Sequence, residues 1–451
     1  MLTAPLLRLL RALCFALVLT LSLPLHEAIA QERTSLVIVE NADKMVGRVV
    51  GDVMYRDLEG NVRISQDNVH IRCDRATQNL TTNEAELFGN VVITQDTLVM
   101  KTPRGMYNGD SKVAWSTSGL FLHDGHTTLT ADAGRYETSS RVARFTTRVT
   151  VTEPQAVITC DTLVYERNGA HAIMSGQVFA TFPRDHAVVT ADSAEHFVDR
   201  KITYFPVGPK LWQIDTTRSA RDSSSAQEDS IRIDTVSIVA RRMEAHRDSS
   251  NFFLAEGNVE MVRGQLAARA AKGTYFRTDS LIVLQSQPVL WYDRNQVTGD
   301  SIAVQLSDGA VRRLSVIGAA FSCSESKPSE KDSIGPPGRY DQTKGKNVHL
   351  FFHNSKAELI RVEQSAQSVY YAYDGRSLNG VRRESGDLIL IGFVDGEAKT
   401  IRTIGGVEGT YYPEKYVTGK EDSHNLEGFR WRGDRPKQPA YPARRPEAGG
   451  R

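Results

Sequence analysis

Apolar and polar residues alternate along most of this chain in short runs, and the runs recur at a nearly constant interval. The segment VITCDTLVY, with Cys160 as anchor, shows the repeated unit, whose anchor also falls at Cys73, at Ala191 and as far on as Gly386. An apolar residue stands two places before the anchor, an Asp often follows it, and apolar residues return 14, 18 and 20 places later. Alternation with a period of two predicts strands that bury one face. A period of about 30 residues predicts one structural unit stacked many times.

Gly-Asn steps precede the second strand of several units, as at Gly60-Asn61 and Gly89-Asn90. Such a step is typical of a tight turn or bulge in which the backbone needs a positive φ. The Asp after the anchor repeats once per unit, whereas a catalytic carboxylate pair has two distinct environments. We therefore expect this Asp column to stabilise turns or bulges. A ladder of calcium sites is the alternative, but the glycine-rich spacing of calcium repeats is absent.

Other candidate chemistry is sparse. The eleven His residues show no metal-ligand spacing, and the chain has neither a phosphate-binding glycine loop nor a nucleophile elbow. The sequence thus predicts no catalytic residue, no metal site and no cofactor, and it does not predict an enzyme. The formal net charge of +1 argues against nucleic acid as a partner.

The N-terminus has the features of a secretory signal. Arg8 and Arg11 precede an apolar run over 12–25, and Ala28-Ile29-Ala30 is a cleavage site of the A-x-A type. A retained membrane anchor is the alternative, although the run is short for a membrane span. Behind the signal remain three cysteines, Cys73, Cys160 and Cys323, and an odd number does not suggest a disulfide framework.

The repeats and the composition divide the chain into segments. Two polar insertions interrupt the array, and whether the first makes a hinge between two lobes stays open at this point. The predicted segments are a signal peptide over 1–30, repeats over 31–211, a polar loop or hinge over 212–232, repeats over 233–322, a charged Pro/Gly insertion over 323–342, the last repeats over 343–415 and a mostly disordered tail over 416–451, in which LEGFRW (426–431) docks as a short last segment.

A strand array with one apolar face must cover that face. It can fill its interior with side chains, close into a barrel, or fold over as a trough that leaves an apolar groove for a ligand. The periodicity is the same in all three cases, so it does not choose between them.

The segments LTADAGRYE (129–137), ITCDTLVYE (158–166) and VTADSAEHF (189–197), with strands such as ELFGNVVIT (86–94), resemble the repeats of the OstA-like family. This family includes the lipopolysaccharide-bridge protein LptA and the N-terminal periplasmic domain of LptD. The resemblance extends over roughly residues 35–415. It implies an all-β, antiparallel jellyroll, a solenoid-like stack whose apolar groove holds the acyl chains of lipopolysaccharide. The sequence is longer than a typical bridge protein, and we expect none of its segments to form a barrel like the C-terminal one of LptD.

The resemblance also implies a site, partners and a location. Lipopolysaccharide, through its lipid A acyl chains, is the expected ligand, and other transport proteins or further copies are expected to join by edge-strand addition. The expected location is the periplasm, alone or at the outer membrane. The groove is expected to be lined by the alternating columns, namely Ile71, Leu87, Val91, Ile93, Met100, Leu120, Leu122, Leu129, Val149, Val151 and Ile158. A structural or adhesive β-solenoid with a filled core and a polysaccharide-active solenoid enzyme are the competing hypotheses.

Overall fold

The computed structural model describes residues 35–218, 231–307, 310–327, 336–353, 356–394 and 397–443. The predicted signal peptide lies outside these ranges. Residues from Ile38 onward form one compact unit, and the fold below is the fold of that unit. Among the described residues, no helix is long and apolar enough to cross a membrane.

Nearly all of the described secondary structure consists of β-strands, and all strand pairs are antiparallel, as for β4 with β5 and β13 with β14. The predicted all-β fold of repeated antiparallel strands is confirmed. The described ranges also contain three short 3-10 helices, Pro183–Asp185, Glu414–Tyr416 and Glu421–His424. The thirty strands in these ranges are β1 Ile38–Asn41, β2 Lys44–Val50, β3 Val53–Gln66, β4 Val69–Asn79, β5 Glu84–Gln95, β6 Leu98–Asn108, β7 Val113–Ser116, β8 Leu120–His123, β9 Thr128–Ala131, β10 Ala133–Glu137, β11 Val142–Glu153, β12 Ala156–Glu166, β13 His171–Phe182, β14 Ala187–Phe197, β15 Ile202–Val207, β16 Lys210–Arg218, β17 Ile231–Val239, β18 Arg242–His246, β19 Phe252–Arg263, β20 Leu266–Phe276, β21 Leu281–Gln285, β22 Val289–Tyr292, β23 Asn295–Thr298, β24 Ser301–Ser307, β25 Ala310–Glu325, β26 Tyr340–His353, β27 Lys356–Asp374, β28 Ser377–Val394, β29 Glu397–Ile404 and β30 Glu408–Pro413.

Each long hairpin bends at a bulge near its middle. In β5 the pairing register shifts between Phe88 and Val91, and the two residues between them, Gly89 and Asn90, both have positive φ, +68° and +46°. The Asn90 side chain donates to Asp74 Oδ2 on the neighbouring strand at 2.9 Å. The predicted bulge and the predicted structural role of the Asp column are therefore confirmed, because the Asp holds the turned backbone of the next strand.

The bend divides each hairpin into two arms. Arm A runs from the bulge to turns such as 66–69, 95–98, 153–156, 263–266 and 292–295, and we call this row of turns rim A. Arm B runs from the bulge to turns such as 79–84, 108–113, 137–142, 246–252 and 276–281, and we call this row rim B. Side chains of the two arms share one core, since Leu122 and Val151 of arm A pack in the same cluster as Tyr136 and Met174 of arm B.

The anchor column lies at the corner between the arms, where space is tightest. Cys160 and Cys73 are buried there, and neither is in a disulfide. At Gly345 a Cβ would lie 2.7 Å from Val362 Cγ1 and 3.0 Å from the carbonyl oxygen of Glu363. A large side chain would push the strands apart at the bend, which explains why this column holds Cys, Ala, Thr or Gly.

Both predicted insertions turn out to be framed by strands. In the segment expected to be a loop over 212–232, β16 extends to Arg218 and β17 begins at Ile231, and the two strands pair with each other. In the segment over 323–342, β25 extends to Glu325 and β26 begins at Tyr340. Backbone pairing overrides the polar composition at the ends of both segments, whose middles lie outside the described residues.

The prediction of a mostly disordered tail is wrong for residues 416–443. His424 and Leu426 are buried, and Leu426 packs in a cluster with Val369, Tyr371, Val381 and Val417. The polar composition that suggested disorder instead supplies hydrogen bonds to the outer face of arm A. The docking of LEGFRW is confirmed, and residues 444–451 lie outside the described ranges.

The corner geometry gives a testable prediction. Replacing Gly89 by Ala forces an L-residue into the left-handed region and crowds Asp74, so we expect the free energy of unfolding to fall by about 1–2 kcal/mol. Chemical denaturation of the full chain measures the loss. The control is Gly47→Ala in β2, because a Cβ at Gly47 meets no atom within 4 Å. An equal effect of the two variants would contradict the role assigned to the bulge.

Candidate binding cavity

The residues predicted to line a groove all face the interior of the N-terminal part of the fold. All of them except the half-buried Ile158 are buried. Six of them share one core cluster, namely Leu120, Leu122, Leu129, Val149, Val151 and Ile158. The interior is filled here, and their contact with a lipid stays a prediction.

Hydrogen bonds across the two rims close this part of the fold. Gln66 on rim A accepts a hydrogen bond from the Tyr107 hydroxyl at 2.6 Å and donates to the carbonyl of Gly109 on rim B at 2.8 Å. One unit later Gln95 repeats the arrangement, with the Tyr136 hydroxyl at 2.6 Å and the Thr138 carbonyl at 3.2 Å. We call these two sets of contacts the Gln–Tyr clasps.

Charged groups extend the closure along the rims. Lys112 on rim B pairs with Asp67 on rim A at 2.7 Å. Further on, Asp185 of rim A meets Arg247 and Arg277 of rim B at 3.4 and 3.2 Å. Burial raises the pKa of Tyr107 to about 12, so its hydroxyl stays protonated and keeps donating at physiological pH.

Beyond this closure the rims separate around a cavity of about 1020 Å³. That is the upper end of the volume range of ordinary small-ligand pockets, about 300–1,000 Å³. Its wall comes from β16 to β29, and none of the eleven predicted groove residues lines it. The Val, Leu, Ile, Met and Phe side chains of the wall are Val236, Ile238, Phe253, Val259, Met261, Leu266, Ile282, Leu284, Leu290, Val297, Val304, Leu306, Val311, Leu314, Leu350, Phe352, Ile360, Val369, Ile391, Phe393 and Ile401.

Sequence reasoning missed these residues although a signal for them was present. LILIGF in β28 shows the same inward alternation as the N-terminal units, and in the wholly apolar VLWY of β22 every second residue, Leu290 and Tyr292, lines the cavity. The columns that point inward are thus readable from sequence. Whether an inward-facing residue lies in the filled interior or lines the cavity depends on contacts between the rims, such as that of Gln95 with Thr138. These two residues are 43 positions apart, and the repeat pattern does not encode their contact.

Two segments of the chain match known protein families. Residues 34–179 match the family described as OstA-like protein, and residues 220–310 match the family described as LptA/(LptD N-terminal domain) LPS transport protein. Residues 34–179 are OstA-like. The first match covers the filled part of the fold, and the second covers much of the cavity wall.

No curated protein matches the chain. Among the solved structures, the crystal structure of LptH, described as the LptA homologous periplasmic component of the conserved lipopolysaccharide transport device from Pseudomonas aeruginosa, matches with 14% identity. The match covers 39% of the present chain and 95% of LptH, with a TM-score of 0.24. A score this low supports no conclusion about either fold or function.

The C-terminal segment of the chain runs across the outside of the cavity wall. We call residues 425–443 the C-terminal strap. Trp291 Nε1 donates to the Arg432 carbonyl at 3.2 Å, and Gln296 Nε2 donates to the Arg430 carbonyl at 2.7 Å. At the far end, Trp212 Nε1 donates to the Pro439 carbonyl at 3.4 Å.

The strap runs across the strands of arm A in an almost fully extended conformation. From Leu426 over β26 to Pro439 over β16 it crosses seven inter-strand steps, roughly 34 Å at about 4.8 Å each. Thirteen residues in a polyproline II conformation span roughly 40 Å. Pro436, Pro439 and Pro442 recur every third residue, as this conformation favours. The strap therefore covers apolar side chains on the outer face of the strands that enclose the cavity.

Polar side chains line the cavity on both arms, with Thr274 and Ser280 on the side of rim B and Asp341 on the side of rim A. Burial raises the pKa of the Asp341 carboxyl to about 7, although the Tyr371 backbone N–H donates to it at 2.9 Å. The raised pKa favours the neutral form of this carboxyl, which reduces the negative charge inside the cavity. Among the described residues, no group of three or more His, Cys, Asp or Glu side chains is arranged to hold a metal ion.

The clasps give a second prediction. Tyr136→Phe leaves the buried Oε1 of Gln95 without its hydroxyl donor, so we expect a loss of about 1–3 kcal/mol in the free energy of unfolding. The control is Tyr411→Phe, which removes a hydroxyl that donates to the Asn379 carbonyl at 2.7 Å on an exposed surface. Urea denaturation compares the variants. If Tyr136→Phe costs no more than the control, the clasp does not hold the rims together.

Proposed function

We propose that the chain is a periplasmic lipopolysaccharide-binding transport protein that shields acyl chains from water on the way to the outer membrane. The observation that carries this proposal is the apolar cavity of about 1020 Å³ between rims A and B. The family matches support a role related to lipopolysaccharide transport. The cavity offers a binding site for the acyl chains.

The energetic reason for such a cavity is the cost of exposing hydrocarbon. Each methylene moved from water into an apolar environment gains about 0.8 kcal/mol. Leu290, Leu314 and Leu350 line the cavity and belong to one apolar cluster, so they offer a wall of this kind. Each further strand of a stacked sheet lengthens such a wall. The wall therefore accommodates long acyl chains better than a compact pocket does.

The ends of the sheet are suited to partners. At the N-terminal end β2 pairs with β3 alone among the described strands, and Met45, Val46, Val49 and Val50 are exposed. At the other end β29 and β30 pair with β28, and Ile404 is half exposed. Exposed apolar edge strands favour strand addition. We propose that other transport proteins, or further copies of this chain, join here.

The proposed location follows from the sequence and the families together. The A-x-A site at Ala28-Ile29-Ala30 would release the mature chain into the periplasm, where its ligand passes. The proposal needs no cofactor, metal or chemical step in this chain, since its task is to lower the free energy of hydrocarbon in water.

Site-specific photocrosslinking in cells that make lipopolysaccharide tests the proposal. A photoreactive residue at Ile282 lines the cavity, whereas one at the adjacent Val283 in β21 does not. We expect a lipopolysaccharide adduct at 282 and none at 283, because successive strand residues point to opposite faces.

The same experiment at Ile93 and Val92 examines the filled part. With the clasps closed, an adduct at 93 is expected to be much weaker than at 282. A strong adduct at 93 would mean that the clasps open and that the eleven predicted groove residues contact lipid. Absence of adducts at 282 and at 93 would favour the alternative, a structural or adhesive β-solenoid, which the filled N-terminal interior resembles.

A further inference from the structure

The inward residues that lie two places from the corner in arm A change their chemistry near the C-terminal end of the cavity. In earlier units these positions hold apolar cross-strand pairs, such as Ile71 with Ile93 and Leu290 with Val297. In β25, β26 and β27 they hold Ser322, Thr343 and Ser368, which are neighbours across the strands. Hydroxyl side chains thus replace apolar ones in three successive strands of the same wall.

The three hydroxyl residues are buried in the cavity wall. Ser322, Thr343 and Ser368 all line the cavity, and their exposed fractions are 8%, 8% and 4%. The Oγ1 atom of Thr343 has no hydrogen-bond partner among the described residues. A buried hydroxyl without a partner destabilises the fold, and a Val of similar size would avoid this cost. Folding alone therefore gives no reason for a hydroxyl at Thr343.

The next inward row toward rim A is polar as well. Ser324, Asp341 and Tyr370 occupy it, and all three line the cavity. The raised pKa of the Asp341 carboxyl favours its neutral form, and burial also raises the pKa of Tyr370, so its hydroxyl stays protonated. We call Ser322, Ser324, Asp341, Thr343, Ser368 and Tyr370 the polar wall.

The surroundings of the polar wall are different in kind. Arm B of the same three strands faces it with apolar side chains, namely Leu314, Leu350, Phe352 and Ile360. Beyond β27 the row of hydroxyls ends at Glu384, which accepts a hydrogen bond from Thr403 at 2.7 Å and pairs with Arg382. The polar wall is therefore a bounded patch within a largely apolar cavity.

We propose that the polar wall is a subsite for a hydroxyl group on the hydrocarbon chain of the amphiphile in the cavity. This inference rests on the proposed function. Ser and Thr hydroxyls both donate and accept, so they pair well with an uncharged group that does the same. Thr343 lies three residues from Tyr340 at the rim A end of β26, roughly 10 Å along the strand. At this depth a hydrocarbon chain, rather than a head group at the rims, lies against the wall.

The polar wall reverses the preference that an apolar cavity would show. A cavity lined only by apolar residues binds a hydroxylated chain less tightly than a plain one, because the hydroxyl leaves water without gaining a partner. A wall that supplies the partner favours the hydroxylated chain. The preference between two chains that differ by one hydroxyl therefore measures the contribution of the polar wall.

Competition binding to the full chain tests the proposal. The probes are octadecanoic acid and octadecanoic acids with one hydroxyl at successive chain positions, each displacing the same fluorescent fatty acid. Wild-type protein is expected to bind the best-placed hydroxy acid about three to ten times more tightly than the plain acid. The triple variant Ser322→Ala, Thr343→Val and Ser368→Ala is expected to prefer the plain acid and to bind it at least as tightly as wild type.

The matched control is Thr150→Val with Thr152→Val, which removes two hydroxyls of β11 that are outside the cavity lining. It is expected to leave the affinities for both acids unchanged. Urea denaturation separates a ligand-binding role from a structural one. The triple variant is expected to be at least as stable as wild type, because it loses a buried hydroxyl without a partner. Lower stability with an unchanged preference would show that the hydroxyls serve folding, and would overturn the subsite.

The remaining outcomes separate this inference from the proposed function. If neither the fluorescent fatty acid nor its competitors bind wild-type protein, the proposed function fails and the subsite fails with it. If the acids bind but the plain acid is preferred over every hydroxy acid, or the triple variant keeps a preference for the hydroxy acid, the cavity remains a lipid site and the subsite is overturned. If free glucose abolishes the preference for the hydroxy acid, the wall binds a sugar and the assignment to a chain hydroxyl is overturned.

Discussion

A two-residue left-handed bulge in every second long strand, held in several units by an Asp of the neighbouring strand, determines the form of this protein. Where Gly89 and Asn90 turn the backbone against Asp74, one strand becomes two arms with a shared interior. Without this bend the alternating residues of β5 would form one face of an open sheet, exposed to water. The rims, the clasps and the cavity all exist because the two arms face each other.

The N-terminal interior is filled and the later interior is open because the contacts between rims A and B differ, although the strands are of the same kind in both parts. In the N-terminal part, Gln66 and Gln95 join rim A to rim B, and the side chains between the arms fill the space. Beyond Asp185, Arg247 and Arg277 the rims diverge, and the same inward columns line a cavity. There the strap crosses the outer face of arm A, so the wall of the open part is supported from outside.

Much of this fold was predictable from the sequence, because the residue patterns that specify its strands and bulges are local and recur in each unit. Alternation with a period of two predicted the strands, the Gly-Asn steps predicted the bulges, and the small anchors marked the corner. The position of the cavity was not predictable, since Ile93 and Ile282 both point inward and differ only in the distant rims above them. The order of the tail was also missed, because Trp212 and Trp291 bind it through backbone carbonyls at Pro439 and Arg432, and such contacts leave no compositional signature.

The central claim is that hydrocarbon occupies the open part of the interior and not the filled part. A crystal structure of the full chain, purified from cells that make lipopolysaccharide with its bound amphiphile retained, tests this claim most directly. The account predicts density for acyl chains against Leu290, Phe352 and Phe393, and only protein side chains between the arms around Val91 and Val149. An empty cavity in a protein that still retains the amphiphile elsewhere, or chains inserted between Val91 and Val149, would contradict it.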